Sequence, residues 1–202
     1  MRNHVVQRQQ PLQRRSRERV QRILDAAAEL FDQKGIDAVN PGDIANHAGI
    51  TRTSLYRYFP NKTSVIHALA LSHLEKLREQ FRQVRDQRLD GEELINALLN
   101  VHIHFLSKEP GYQAVWSSVA ITPELHNLYE LENEWLSDVW GNLIIHLNPH
   151  FDESRLPTIR RMIPLIVTAV LRDCSRDSTA QLDDYFAELR NMLYLLFGLK
   201  SK

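Results

Sequence analysis

The chain has 202 residues, 43% of them apolar and 25% charged. This globular balance supplies enough apolar side chain for a real core and excludes disorder throughout. The formal charge is zero but unevenly placed: residues 1–64 carry eleven Lys/Arg against six Asp/Glu, and residues 65–202 fourteen against nineteen. A basic front and an acidic back suit a chain that lays its N-terminal part on a polyanion. Cys174 stands alone, which excludes an internal disulfide and a cysteine zinc site. The N-terminus has no apolar run resembling a signal peptide, and the longest uncharged apolar stretch, Met162 to Leu171, is too short to span a bilayer. The cytosol is the expected compartment, with no membrane partner.

In chain order, residues 1–16 read as a basic arm in which Arg2, Arg8, Arg14 and Arg15 meet no acidic residue. Val20, Ile23, Leu24, Ala27, Ala28 and Phe31 then recur at helical spacing, and Gly35 closes that helix. Asn40 is placed as an N-cap, with Pro41 at the first helical position and Asp43 in the first turn. This second helix ends before Ala48-Gly49-Ile50. Thr51 caps a third helix through Phe59, and Asn61 a fourth reaching about Gln87. Further helices are expected near 92–107, 112–119, 123–147, 155–174 and 179–198, separated at Asp90-Gly91, Pro110-Gly111, Thr122-Pro123 and Asn148-Pro149. No stretch alternates well enough to require a strand, so the expected fold is all-α. It divides into an arm (1–16), a three-helix helix-turn-helix domain (17–64) and a helical domain (65–202).

Two short helices joined by a glycine-containing turn, with a third packed behind, make a helix-turn-helix. Ile44, Ala45, Ala48 and Ile50 are expected to pack inward with Leu55, Tyr58 and Phe59 against the first helix. With Leu55 set at the core and about 100° per residue, Thr53 and Arg57 point away, Ser54 and Tyr56 flank them, and Arg52 sits near the edge. Arginine can bind guanine O6 and N7 with two bonds, and a threonine methyl can touch a thymine methyl. Arg52, Thr53 and Arg57 are therefore the base-contact candidates, and the Ser54 and Tyr56 hydroxyls are phosphate candidates.

The run Ile23-Leu24-Asp25-Ala26-Ala27, Leu30-Phe31, Gly35, Asp43-Ile44-Ala45, Ala48-Gly49-Ile50-Thr51, Leu55-Tyr56-Arg57-Tyr58-Phe59 and Lys62 resembles the signature of the TetR family of transcription regulators. The resemblance implies a recognition helix over about Thr51 to Tyr58. It puts Tyr56 where a family tyrosine holds the backbone or a thymine, and Lys62 where a family lysine grips phosphate. It further implies that Arg14, Arg15 and Arg17 follow the adjacent minor groove. Two departures stand out: Val39 and Asn40 occupy the usual Thr/Ser position, and Gly42 lacks a side chain that some relatives aim at DNA. Asn40 and Thr51 then join the phosphate candidates, and specificity rests more heavily on the third helix.

The implied protein is a ligand-responsive repressor that binds a palindromic double-stranded DNA operator as a homodimer and is released by a small molecule. Two copies of the motif read half-sites roughly 34–36 Å apart. Leu182, Tyr185, Phe186, Leu189, Met192, Leu193, Leu196 and Phe197 form one apolar stripe, and Ile159, Met162, Ile163, Ile166 and Val170 another. Each reads as plain core or, with the family layout, as a dimer interface. Tyr112, Trp116, Trp135, Trp140 and Cys174 read as core or as ligand-cavity lining, and Arg172 as partner to an acidic ligand group or to a neighbouring carboxylate. No phosphate-binding glycine loop, nucleophile elbow or paired metal motif is present; His102 and His104 point to different helix sides, and Asn148-Pro149 separates His146 from His150. Neither an enzyme nor a cofactor is expected. The alternatives are a helical interaction module and a ligand-independent DNA-binding protein.

Overall fold

The computed structural model describes residues 14–174 and 182–199. Helices run α1 Arg14–Lys34, α2 Pro41–His47, α3 Arg52–Tyr58, α4 Lys62–Asp86, α5 Gly91–Lys108, α6 Tyr112–Ile121, α7 His126–Leu147, α8 Leu156–Cys174 and α9 Leu182–Leu196. Single 3-10 turns, Pro123–Leu125 and Glu153–Arg155, lead into α7 and α8. Among the described residues there is no strand, as the helical periodicity requires. The helix α1 takes in Arg14, Arg15 and Ser16 from the expected arm; residues 1–13 lie outside the described residues.

The chain forms two compact units. The first comprises the described residues up to Glu75 together with Glu109–Tyr129; the second comprises Lys76–Lys108 with the described residues from Glu130 onward. In the first unit α1 buries Val20, Ile23, Leu24, Ala27 and Phe31. Ile44, Ala45, Ala48, Leu55, Tyr58 and Phe59 are buried as well, while Ile50 is half-buried. Val65, Ile66, Leu69 and Ala70 continue this core along α4. The sequence pattern groups α6 with the acidic remainder, but α6 packs on α1 and buries Tyr112, Val115, Trp116 and Val119. That approach depends on Gly111, which has φ +72°; a β-carbon there would stand 2.9 Å from the Ala28 Cα. His73 adds a tie through its Nε2, 3.2 Å from the Pro110 carbonyl oxygen.

In the second unit Trp140 is fully buried, with its ring 6.1 Å from Phe197 and 6.3 Å from His102. Ile163, Val167, Leu189, Leu193 and Phe197 are buried there too. Asn96 donates to the Tyr194 hydroxyl at 2.8 Å, and Asn148 Nδ2 donates to the Leu196 carbonyl at 3.3 Å, fastening the end of α9. His102 is buried, its Nδ1 3.1 Å from the Leu98 carbonyl oxygen. Burial pushes this imidazole down to about 4, so it is neutral at neutral pH. Trp116 and Trp140 are thus core residues of different units, whereas Trp135 is half-buried. The side chains of Arg172 and Cys174 lie outside the described residues. No described helix is long and apolar enough to cross a membrane.

Candidate DNA-binding surface

A seven-residue helix has too few internal bonds to be stable alone, so both short helices of the motif depend on their ends. Asn40 is extended (φ −107°, ψ 163°), and its Oδ1 accepts from Gly42 N at 2.8 Å and Asp43 N at 3.2 Å. Asp43 answers by accepting from Asn40 N at 2.9 Å, completing a capping box. Gly42 fits this cap closely: a β-carbon there would lie 2.9 Å from Asn40 Oδ1. The turn into α3 passes through Gly49 at φ +66°, a conformation that glycine adopts without steric cost. Thr51 Oγ1 then accepts from Ser54 N at 3.2 Å, and Phe59, extended again, ends the helix.

With its ends fixed, α3 turns Leu55 and Tyr58 into the core and leaves Arg52, Thr53 and Arg57 exposed. Ser54 and Tyr56 sit half-buried at the margins. The side split expected from the 3.6-residue repeat is therefore present. Arg52 donates from Nη2 to the Tyr56 hydroxyl at 3.2 Å, with its guanidinium 5.6 Å from the ring centre. Arg57 lies 5.9 Å from the centre of the Tyr58 ring. Tyr58 itself accepts from Ser16 Oγ at 3.2 Å, which ties the start of α1 to the end of α3. That bond, aided by the charges of Arg19 and Arg57 and opposed by burial, holds the phenol below its ordinary value.

Lys62 is half-buried, and its Nζ donates to the carbonyls of Ile36 (2.7 Å) and Val39 (3.0 Å). It thus closes the loop between α1 and α2 from the start of α4. An ammonium has three donors, so one remains for a further acceptor. Sequence reading alone did not find this tether, because its acceptors are backbone oxygens that leave no mark in side-chain type. It also missed His47, whose Nε2 is 2.7 Å from Glu29 Oε2 and joins α2 to α1. Arg14, Arg15 and Arg17 stand exposed on the first turn of α1.

A short capped helix whose outer side carries guanidinium and hydroxyl groups, anchored by buried Leu55, Tyr58 and Phe59 and joined to α2 by a glycine turn, is the arrangement of a helix-turn-helix DNA-binding protein. The model for bacterial regulatory proteins of the tetR family matches residues 23–69, which span the end of α1 through the first part of α4. The transcriptional activator FasR of Mycolicibacterium smegmatis is 26% identical over 79% of this chain and 71% of its own length. The transcriptional repressor KstR2 of Rhodococcus jostii is 35% identical, over 38% of each chain. A TetR-family regulator of known structure from Streptomyces coelicolor superposes with a TM-score of 0.66 at 23% identity, covering 89% of this chain and 98% of that one. Residues 23–69 therefore match the DNA-binding domain of the TetR family of transcription regulators, and the chain shares the fold of a solved regulator of that family.

Proposed function

We propose that this regulator binds a palindromic operator as a homodimer and is released from it by a small molecule, with repression as the output. The exposed face of α3 carries the reading: Arg52, Thr53 and Arg57 contact base edges, while Asn40, Thr51, Ser54, Tyr56 and Lys62 contact phosphates. Asn40 and Thr51, whose side-chain oxygens already cap the N–H groups of Gly42, Asp43 and Ser54, do so through the Asn40 side-chain amide N–H and the Thr51 hydroxyl hydrogen. Relatives of both signs, an activator and a repressor by name, resemble this chain, so the motif is compatible with either output.

The dimer reading is supported by one side of the last two helices. Met162, Leu165, Tyr185, Met192 and Leu195 are exposed, the last by 74%. Such a cluster of large apolar groups is the kind of surface that a second copy covers. For release, a ligand must bind the DNA-incompetent arrangement more tightly than the competent one. The long helix α4 contributes residues to both compact units, which makes it the natural coupling element. Cytosolic location and the absence of catalysis complete the proposal.

The test is selection of bound sites from random duplex DNA, followed by titration at several salt concentrations. Tyr56→Phe should weaken binding to all sequences alike. Arg52→Ala should instead cost about 1–3 kcal/mol on the preferred site and relax the sequence preference. Identical preferences in the Arg52→Ala protein, or no salt-dependent binding to any duplex, would overturn the reading.

A further inference from the structure

The second half of α4 carries Arg78, Arg82 and Arg85 at i, i+4 and i+7, and Arg88 follows in the turn with a positive φ of 52°. Like charges at this spacing repel and destabilise an isolated helix. Glu79 pairs with Arg82 at 2.7 Å, and Asp86 lies 3.3 Å from Arg85. Arg78 is different. Its guanidinium lies 5.4 Å from the centre of the Trp135 ring, and its buried Nε has no hydrogen-bond partner.

All four arginines line one cleft of about 580 Å³ inside the second unit. Its other walls are mostly apolar, including Phe81, Leu98, Trp135 and Leu143, and His146 stands at its edge. No carboxylate is among the described residues that line it. This cationic cleft lies in a part of the chain, residues 65–202, where acidic residues outnumber basic ones nineteen to fourteen. A solvated polar face would account for the arginines but not for the apolar walls beneath them. Plain core packing would account for the walls but leaves the buried Nε unsatisfied. One kind of occupant answers both: an apolar body against the aromatic and aliphatic walls, with an anionic head on the guanidinium groups. Arginine forks bind carboxylate and phosphate oxygens in pairs, and the volume lies in the range of pockets for small organic ligands.

We infer that this cleft binds an amphipathic organic anion, a carboxylate or phosphate ester with an extended apolar tail. The anion's part in regulation rests on the ligand-responsive reading above; its binding does not. The experiment is calorimetric titration of the full chain with dodecanoate, dodecyl phosphate, neutral dodecanol and inorganic phosphate, all below micellar concentration. Either anion with the tail should bind with one site per chain and at least tenfold more tightly than dodecanol or phosphate. Preference between the two anions names the head group. Arg78→Gln should reduce anion affinity at least tenfold and leave dodecanol binding unchanged. The exposed pair Arg82→Gln and Arg88→Gln tests the same charge without touching buried atoms and should give a loss of the same sign. Equal affinity for dodecanol and dodecanoate, or unchanged anion affinity in both variants, would overturn the assignment. The same ligands are then added to the protein–DNA complex. Anion binding without DNA release upholds the cleft and removes its regulatory role. Release by a neutral compound, with no anion bound, overturns the cleft and leaves ligand regulation standing.

Discussion

At the scale of single residues, tertiary packing sets the state of one side chain and the identity of one backbone position. His102 is neutral because its ring is buried beside Phe81 and Trp140, and its folded pKa of about 4 lies below the ordinary 6.5. Between those values the unfolded chain binds the proton more strongly than the folded one. Stability is therefore fully present above about pH 6.5 and is lost as pH falls towards 4, by on the order of 3 kcal/mol from this group. His67, also lowered by burial, adds to the same trend. Urea unfolding at pH 7 and pH 4.5 should show the loss, and His102→Leu should flatten the slope; an unchanged slope would assign it to other groups. Gly111 is the second case. Alanine there must adopt φ near +72° and meet the Ala28 backbone at 2.9 Å, so Gly111→Ala should destabilise by about 1–3 kcal/mol in the same assay. The histidine was legible only as a residue unfit to share a metal with His104. Its burial depends on which helix face turns inward, and one sequence position cannot settle that.

At the scale of elements, the short helices show how much of a motif resides in its ends. The capping residues Asn40 and Thr51 were readable because their chemistry is local: a short polar side chain one position before a helix bonds the free N–H groups of its first turn. Asn40→Ala removes the acceptor for two N–H groups and should cost about 0.5–2 kcal/mol. Thermal unfolding measures that cost, and DNA titration should show weakened binding as α2 frays. An Asn40→Ala protein of undiminished stability would mean that the α2–α3 packing alone holds the motif. Lys62 marks the opposite limit. Its tether to Ile36 and Val39 joins positions 26 and 23 residues away, and nothing local announces it.

At the scale of the whole molecule, the proposed operator reading depends on association of two copies. The apolar stripes of α8 and α9 each have two sides. Ile163, Leu189, Leu193 and Phe197 are core, while Met162, Tyr185 and Met192 are exposed; Leu165 and Leu195, which the stripes did not include, are exposed as well. Leu195→Lys should leave the monomer fold intact, since that side chain is 74% exposed, and should shift a dimer towards monomer in analytical ultracentrifugation. Loss of the second half-site should lower operator affinity by at least tenfold. A dimer of unchanged strength in the Leu195→Lys protein would move the interface elsewhere.

What the sequence by itself determined was everything governed by neighbours along the chain: helix positions, caps, the glycine turn and the outward side of α3. Those follow from a fixed 3.6-residue repeat and from hydrogen bonds that span three or four positions. Tertiary structure decided the rest. It packed α6 onto α1, split the C-terminal stripes into core and surface, buried His102, and gathered four arginines around one cleft. Each of these depends on contacts between segments far apart in the chain, where periodicity shows that a face is apolar or charged but not what it meets.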